Sequence, residues 1–368
     1  MRPLAAIRTL MCTLVLLPAP FASAQSVKVT DIIGRQVTVD GPVKRLVISD
    51  FRQIIGLSLI DRNVGNLIVG AGSKSRVGPE LRAELEKQFP GITSVPELAE
   101  NSPVISAEQV IALNPDLLIL SDPPGPAINQ VVAQLDRAGI PTVFIDFRLN
   151  PYENTLPSLT IAAEVLGSGP QAAEFLAFYR QHRDRVVDHA AGLADRPAVL
   201  MHLQATPTRQ CCMSLGEISL GRFITAAGGR NIGTDIIPGA FAQISPEYVL
   251  SHQPDIYIAT GGRQLESNEG LIVGPGVSAD LAHASLMSLQ ETPILSDLDA
   301  IAGGRSYGLW HSIHNSPLNI VALELLARWI HPQEFAGLDP QQTLDEINAR
   351  FLPFEFDGAI WTAAKDKP

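Results

Sequence analysis

The chain is poor in the residues that staple, catalyse or span. It has three cysteines in 368 residues, and Cys12 falls in an N-terminal targeting segment. The remaining Cys211 and Cys212 are too few for a disulfide framework. Lys and Arg number 27 against 38 Asp and Glu, for a net charge of −11. That balance argues against nucleic acid or an anionic membrane surface as the main partner. No stretch reaches the roughly 20 apolar residues of a membrane-spanning helix. There is no G-x-S-x-G, no H-E-x-x-H and no zinc-spaced cysteine set, so no standard catalytic or metal signature is present.

What is present begins with an export signal. Arg2 and Arg8 supply positive charge, Thr9 to Leu17 forms a short apolar core, and Ala22-Ser23-Ala24 fits a small-residue cleavage site. Cleavage after Ala24 is expected to yield an exported chain beginning at Gln25. Losing the two arginines takes the formal charge from −11 to −13. The 344 residues that remain suffice for two domains.

One stretch occurs twice. Ile105 to Leu120 reads ISAEQVIALNPDLLIL and Ile244 to Ala259 reads ISPEYVLSHQPDIYIA, displaced by 139 positions. In each copy a serine, Ser106 or Ser245, is placed to N-cap a short helix, with Gln109 completing a capping box in the first copy. Pro115 and Pro254 stop the helices, and the apolar runs after Asp116 and Asp255 predict buried strands. Strand patterns alternate with helical ones on both sides of Pro170 to Leu193, the longest helical pattern, which at 1.5 Å per residue spans roughly 36 Å. The reading is an α/β fold: two Rossmann-like lobes with mostly parallel sheets, residues 25–169 and 194–368, joined by one long helix at 170–193.

Ligands of open parallel sheets bind beyond the C-terminal ends of the strands. Four arginines fall at such ends: Arg52, Arg148, Arg209 and Arg263. The planar guanidinium suits carboxylates and other oxyanions, so the group points to an anionic ligand, although each alone is also an ordinary surface arginine. Phe51 and Trp310 are placed to pack on an organic part. His311 and His314 are candidates to contact a bound molecule or to approach its metal, but they make no complete metal-ligand set, and neither a resident cofactor nor a metal is expected. Cys211 and Cys212 are also candidate ligand contacts; adjacent Cα atoms lie about 3.8 Å apart across a trans peptide, so joining them requires local distortion, and a vicinal disulfide and two buried thiols both stay open. A cysteine-dependent exported enzyme using Cys212 is a further alternative. Glu108 and Glu247, in first helical turns, satisfy the helix dipole and also form a matched pair for a symmetric partner.

The segments VTDIIGRQVTVDGPVKRLVI (Val29 to Ile48), the two Ser-x-Glu-x-Val…Pro-Asp units, LGRFITAAGGRNI (Leu220 to Ile232), GGRSYGL (Gly303 to Leu309) and NSPLNIVALELLARWIHPQEF (Asn315 to Phe335) occur in this order. Together they resemble the periplasmic substrate-binding proteins of ABC importers, in the class with a single interlobe helix that carries ferric siderophores, cobalamin or haem. The resemblance implies a monomeric receptor, not an enzyme, with its ligand between the lobes and modest hinge motion. It also implies docking of Glu108 and Glu247 onto arginines of an inner-membrane permease. The expected cargo is an iron(III)-siderophore-type chelate neutralised by the arginines; cobalamin or haem is the alternative. Cys211, Cys212, His311 and His314 are not general features of the class.

Overall fold

The computed structural model describes residues 26–98, 104–121 and 123–365. The segment read as an export signal and Asp122 lie outside the described residues.

The chain enters through an antiparallel hairpin, β1 (Ser26–Thr30) and β2 (Gln36–Asp40), in which Ser26 faces Asp40 and Thr30 faces Gln36. Its turn is held by Asp31, whose Oδ1 accepts from the N–H groups of Ile33 and Arg35 at 3.2 and 2.8 Å. Gly34 takes the left-handed conformation at φ +85° that this turn needs.

The first lobe follows with β3 (Leu46–Ile48), β4 (Ile68–Ala71), β5 (Leu117–Leu120) and β6 (Thr142–Phe144), all parallel in the order β4-β3-β5-β6. Every residue of β3 and β5 is buried, as a sheet covered on both faces requires. The second lobe contributes β7 (Ala198–His202), β8 (Met213–Leu215), β9 (Arg230–Asn231), β10 (Phe241–Gln243), β11 (Ile256–Gly261), β12 (Ser306–Trp310) and β13 (Trp361–Ala363). Its main sheet runs β13-β12-β11-β7-β9, with only β13 antiparallel, while β8 and β10 pair separately as an antiparallel ribbon.

The repeated unit folds alike in both lobes. Ser106 Oγ accepts from Gln109 N at 3.3 Å and Ser245 Oγ from Tyr248 N at 3.2 Å, capping the helices Ala107–Leu113 and Pro246–His252. Ile105 and Val110 are buried in one core, and Ile244 and Val249 are their buried counterparts in the other. Each pair flanks the cap in the positions of a hydrophobic staple. Both helices close on a left-handed residue directly before the proline, Asn114 or Gln253. The aspartate after each proline then ties down the start of the neighbouring strand: Asp116 Oδ2 accepts from Lys44 N and Arg45 N, and Asp255 Oδ2 from Ala198 N, at 2.7–2.8 Å. The capping box is half made, because the Ser106 N–H goes to the Leu98 carbonyl rather than to Gln109.

The long helix runs Gly169–Ala191, one residue earlier at its start and two at its end than the pattern predicts. Buried groups couple it to the rest of the chain. Tyr179 donates to Asn319 Oδ1 at 2.7 Å, and Asn319 Nδ2 donates to Thr155 Oγ1 at 2.9 Å. Fully buried Glu324 meets His182 Nδ1 at 2.7 Å and Arg185 Nη2 at 3.0 Å on the long helix, and accepts from Thr343 Oγ1 at 2.6 Å. Two of the longer helices escape a reading by periodicity: Pro151–Leu166, which carries Pro157 in its interior, and Pro340–Arg350, capped by Asp339. The helix that precedes Pro340–Arg350 spans Asn319–Ile330, and Ser316 Oγ accepts from Leu318 N in the turn before it.

Candidate functional site

A cleft lies between the C-terminal strand ends of the two lobes, with a volume of about 370 Å³. That is within the roughly 300–1,000 Å³ of small-molecule sites. Arg52 and Arg148 enter it from the first lobe; Arg209, His311, His314 and Asn315 enter from the second.

The first-lobe arginines are placed by one device used twice. Asp50-Phe51-Arg52 follows β3 and Asp146-Phe147-Arg148 follows β6. Asp50 Oδ1 accepts from Arg52 N at 2.9 Å, and Asp146 Oδ1 accepts from Arg148 N and Leu149 N at 2.8 Å each. In each the aspartate turns the chain, the phenylalanine goes into the core and the arginine is left at the cleft. Phe51 is therefore not a ligand-packing residue: it is 0% exposed. Its counterpart Phe147 lies against Gly56, where an added Cβ would come within 2.9 Å of the ring.

The two arginines differ in charge balance. Arg52 is paired with Asp50, which also meets Arg76 Nη1 at 3.2 Å. Burial works to raise the Asp50 carboxyl, but the hydrogen bonds and charge of Arg52, with the Arg76 charge, together hold it below its ordinary value. Arg148 and Arg209 make no ion pair among the described residues. Among the described residues, an acidic protein thus keeps two guanidinium groups in its cleft without an ion-pair partner.

His311 Nδ1 lies 3.0 Å from Thr260 Oγ1, and His314 Nδ1 lies 2.5 Å from the His311 carbonyl oxygen. A carbonyl only accepts, so His314 carries its proton on Nδ1 and leaves Nε2 as a lone-pair donor. Burial, then the Arg52 charge, pushes His311 down to about 4. Burial, then the charges of His311, Arg52 and Arg148, holds His314 well below the ordinary histidine range. Both imidazoles are neutral at neutral pH. Asn315 Oδ1, also in the lining, is buried without a hydrogen-bond partner among the described residues, an acceptor available to a ligand N–H or O–H. The apolar part of the lining includes Leu203, Met213, Leu215 and Ile218. It also includes Phe241 on β10, 65% exposed.

Phe241 and Asn315 are site residues that a reading of strand ends misses. Phe241 sits on a three-residue strand with no apolar period to announce it, and Asn315 reads as part of a helix start. Other expected members lie elsewhere. Trp310 is 7% exposed and packs against Phe356, at 5.5 Å between ring centroids, rather than facing the cleft. Arg263 is spoken for: its Nε lies 2.7 Å from Glu80 Oε1, and its Nη2 donates to the Gly276 carbonyl at 3.1 Å. The Nε geometry is poor for a hydrogen bond, so the contact is an ion pair. Glu80 belongs to the first-lobe helix Pro79–Gln88, which makes Arg263 an interlobe tie and not a ligand contact. Arg263→Ala is accordingly expected to change cargo affinity less than about tenfold, since a partly exposed ion pair is worth only about 0–1 kcal/mol; isothermal titration of the variant checks this.

Cys211 and Cys212 are joined to each other and are 7% and 0% exposed. They lie behind the cleft rather than in its lining, the second held to Ile244 by N–H···O contacts in both directions. A bonded, buried pair offers no thiolate nucleophile, which removes the basis of the cysteine-enzyme alternative.

Glu108 and Glu247 are exposed, each at the second position of its capped helix. Its own backbone N–H and the Ser106 hydroxyl, 2.8 Å away, hold the Glu108 carboxyl below its ordinary value.

Residues 80–310 match the model of a family described as periplasmic binding protein. The chain belongs to that family. Its members are receptors that deliver small ligands to ABC importers in the periplasm, and they are not enzymes. Among solved structures, the TroA-like periplasmic binding protein FepB from Veillonella parvula is 26% identical, with a TM-score of 0.81 over 92% of this chain and 99% of its own. The molybdate-bound MolA of Haemophilus influenzae is 16% identical, with a TM-score of 0.66 over 90% and 99%. The heme-binding RhuT from Roseiflexus sp. RS-1 is 21% identical, with a TM-score of 0.56 over 79% and 99%. No curated protein sequence matches this receptor. Among the described residues no helix is long and apolar enough to cross a membrane.

The buried histidines set the receptor's acid limit. His202 and His311 are each pushed down to about 4 from 6.5. Between those values the unfolded chain takes up protons that the folded chain refuses, so stability falls as pH falls. The thermal midpoint is expected to be flat above about pH 7 and to drop steeply from about 6.5 to 4, with each histidine contributing on the order of 3 kcal/mol. A calorimetric series across that range checks it; a midpoint constant down to pH 4 contradicts it.

Proposed function

We propose that this receptor captures an anionic iron(III) chelate in its interlobe cleft and delivers it to an inner-membrane importer. The observation that carries the reading is that Arg148 and Arg209, which make no ion pair among the described residues, line one cleft together with apolar side chains and Phe241. Such cations favour an oxyanion-rich ligand, and the apolar side chains favour one with an organic shell. Asn315 Oδ1 supplies a place for a ligand donor.

A second reading, haem or cobalamin, draws on His314. Its Nδ1 proton is engaged by a carbonyl, as in metal-ligating histidines, and its Nε2 keeps a lone pair. Native mass spectrometry and the visible spectrum of receptor purified from periplasm separate the two. A retained iron chelate without a porphyrin band supports the first; a porphyrin or corrinoid mass overturns it in favour of the second.

Delivery is assigned to Glu108 and Glu247. They are exposed carboxylates at equivalent points of two similar lobes, set outside the cleft on rigidly capped helices.

A further inference from the structure

Behind the cleft, three soft donors converge at a place the cargo site does not use. His202 ends β7 and is buried, with Nδ1 3.0 Å from the hydroxyl of fully buried Tyr257. One ligand atom of His202 and the sulfurs of Cys211 and Cys212 all lie within 4.8 Å of one another. With Nδ1 engaged by the tyrosine, Nε2 is the nitrogen left for a metal, and a partner on the other ring nitrogen is what metal-ligating histidines have. Two cysteines and an imidazole in an apolar, closed setting are the donors of thiophilic ions. None of the three lines the cargo cavity.

We propose that, when the Cys211–Cys212 bond is reduced, these two sulfurs and His202 bind one Cu(I) ion. The set is one ligand short of the closed four-coordinate sites that zinc takes in structural positions, and no fourth such donor joins it among the described residues. Soft sulfur donors select Cu(I) instead. The chemistry needs a dithiol reductant. It passes two electrons and two protons to the S–S bond, which breaks to two thiols while the reductant closes its own disulfide. Cu(I) then displaces the two thiol protons, forming two Cu–S bonds and one Cu–N bond with no change in its oxidation state. Cys211 is the more exposed of the two residues, at 7% against 0%.

The test compares oxidised and anaerobically reduced full-length exported protein, freed of reductant, in competition with a chromophoric Cu(I) chelator. One equivalent of Cu(I) is expected on the reduced chain and none on the oxidised chain, with circular dichroism showing both folded. His202→Asn is expected to weaken uptake by roughly tenfold or more, and the double variant Cys211→Ser, Cys212→Ser to abolish it. Because the oxidised and reduced forms share one sequence, their comparison stands even if a variant folds poorly. No uptake by the folded reduced chain overturns the proposal. So does uptake undiminished in either variant, or loss of the fold on reduction.

Discussion

Arg148→Glu is expected to weaken cargo binding by roughly 30- to 4,000-fold, the equivalent of about 2–5 kcal/mol for removing one side of a desolvated charge pair. The position suits the experiment. The Arg148 backbone is held by Asp146, not by its own guanidinium, and the side chain has no ion pair among the described residues. The turn should therefore survive, and the melting temperature should move little, as for other substitutions that break no internal contact. Intrinsic-fluorescence titration with a purified anionic iron chelate reads the change. Affinity within threefold of the parent for both Arg148→Glu and the double variant Arg148→Glu, Arg209→Glu would eliminate charge neutralisation as the basis of recognition. The contrast with Arg263→Ala is informative, because Arg263 already has Glu80 as its partner.

The second large effect is expected on transport and not on binding. Reversing both carboxylates, Glu108→Arg with Glu247→Arg, should reduce cellular import to background while cargo affinity stays at the parental value. Each substitution leaves its helix capped, because the N–H groups of Gln109 and Tyr248 bond to Ser106 and Ser245 rather than to the glutamates. Single reversals should give intermediate import, since one lobe keeps its anchor. Growth on the cognate iron source, with affinity measured in parallel, reads both quantities. Normal growth of the double variant would remove these residues from docking, and a loss of affinity would place them in the binding site instead.

Much of the fold was legible because its signals are local. In Ile-Ser-x-Glu-x-Val each position has its own short-range role: buried staple, cap, exposed first-turn carboxylate, buried face. The same local grammar carries Pro-Asp, in which the proline stops a helix and the aspartate ties down the next strand. The helix Pro151–Leu166 was hidden because local signals there point the other way. Pro157 reads as a breaker and is tolerated only in the context of the packed helix. The ribbon of β8 and β10 was hidden for another reason: three-residue strands have too few positions to show a period.

The candidate site divides along the same line. Arg52, Arg148 and Arg209 were readable from strand ends because the parallel topology sends all of those ends to one crevice. Which arginines stay unpaired was not readable, because the partner of Arg263 lies 183 positions away in the other lobe. Phe51 and Arg52 are neighbours in sequence, yet a turn of the Asp50 carboxylate sends one into the core and the other to the cleft.

By itself, the order of the residues determined the class of this protein: two α/β lobes, a long connecting helix, matched exposed glutamates and arginines at strand ends. Those features follow from caps, prolines and periodicity acting over a few residues. The packing of the lobes decided what a local pattern has no means to encode. It neutralised Arg263 and left Arg148 and Arg209 without an ion pair among the described residues, buried His311 and His314 as neutral imidazoles, and brought His202 beside Cys211 and Cys212. Charge balance, desolvation and convergence of donors depend on distances between segments remote in sequence, and only the folded chain sets those distances.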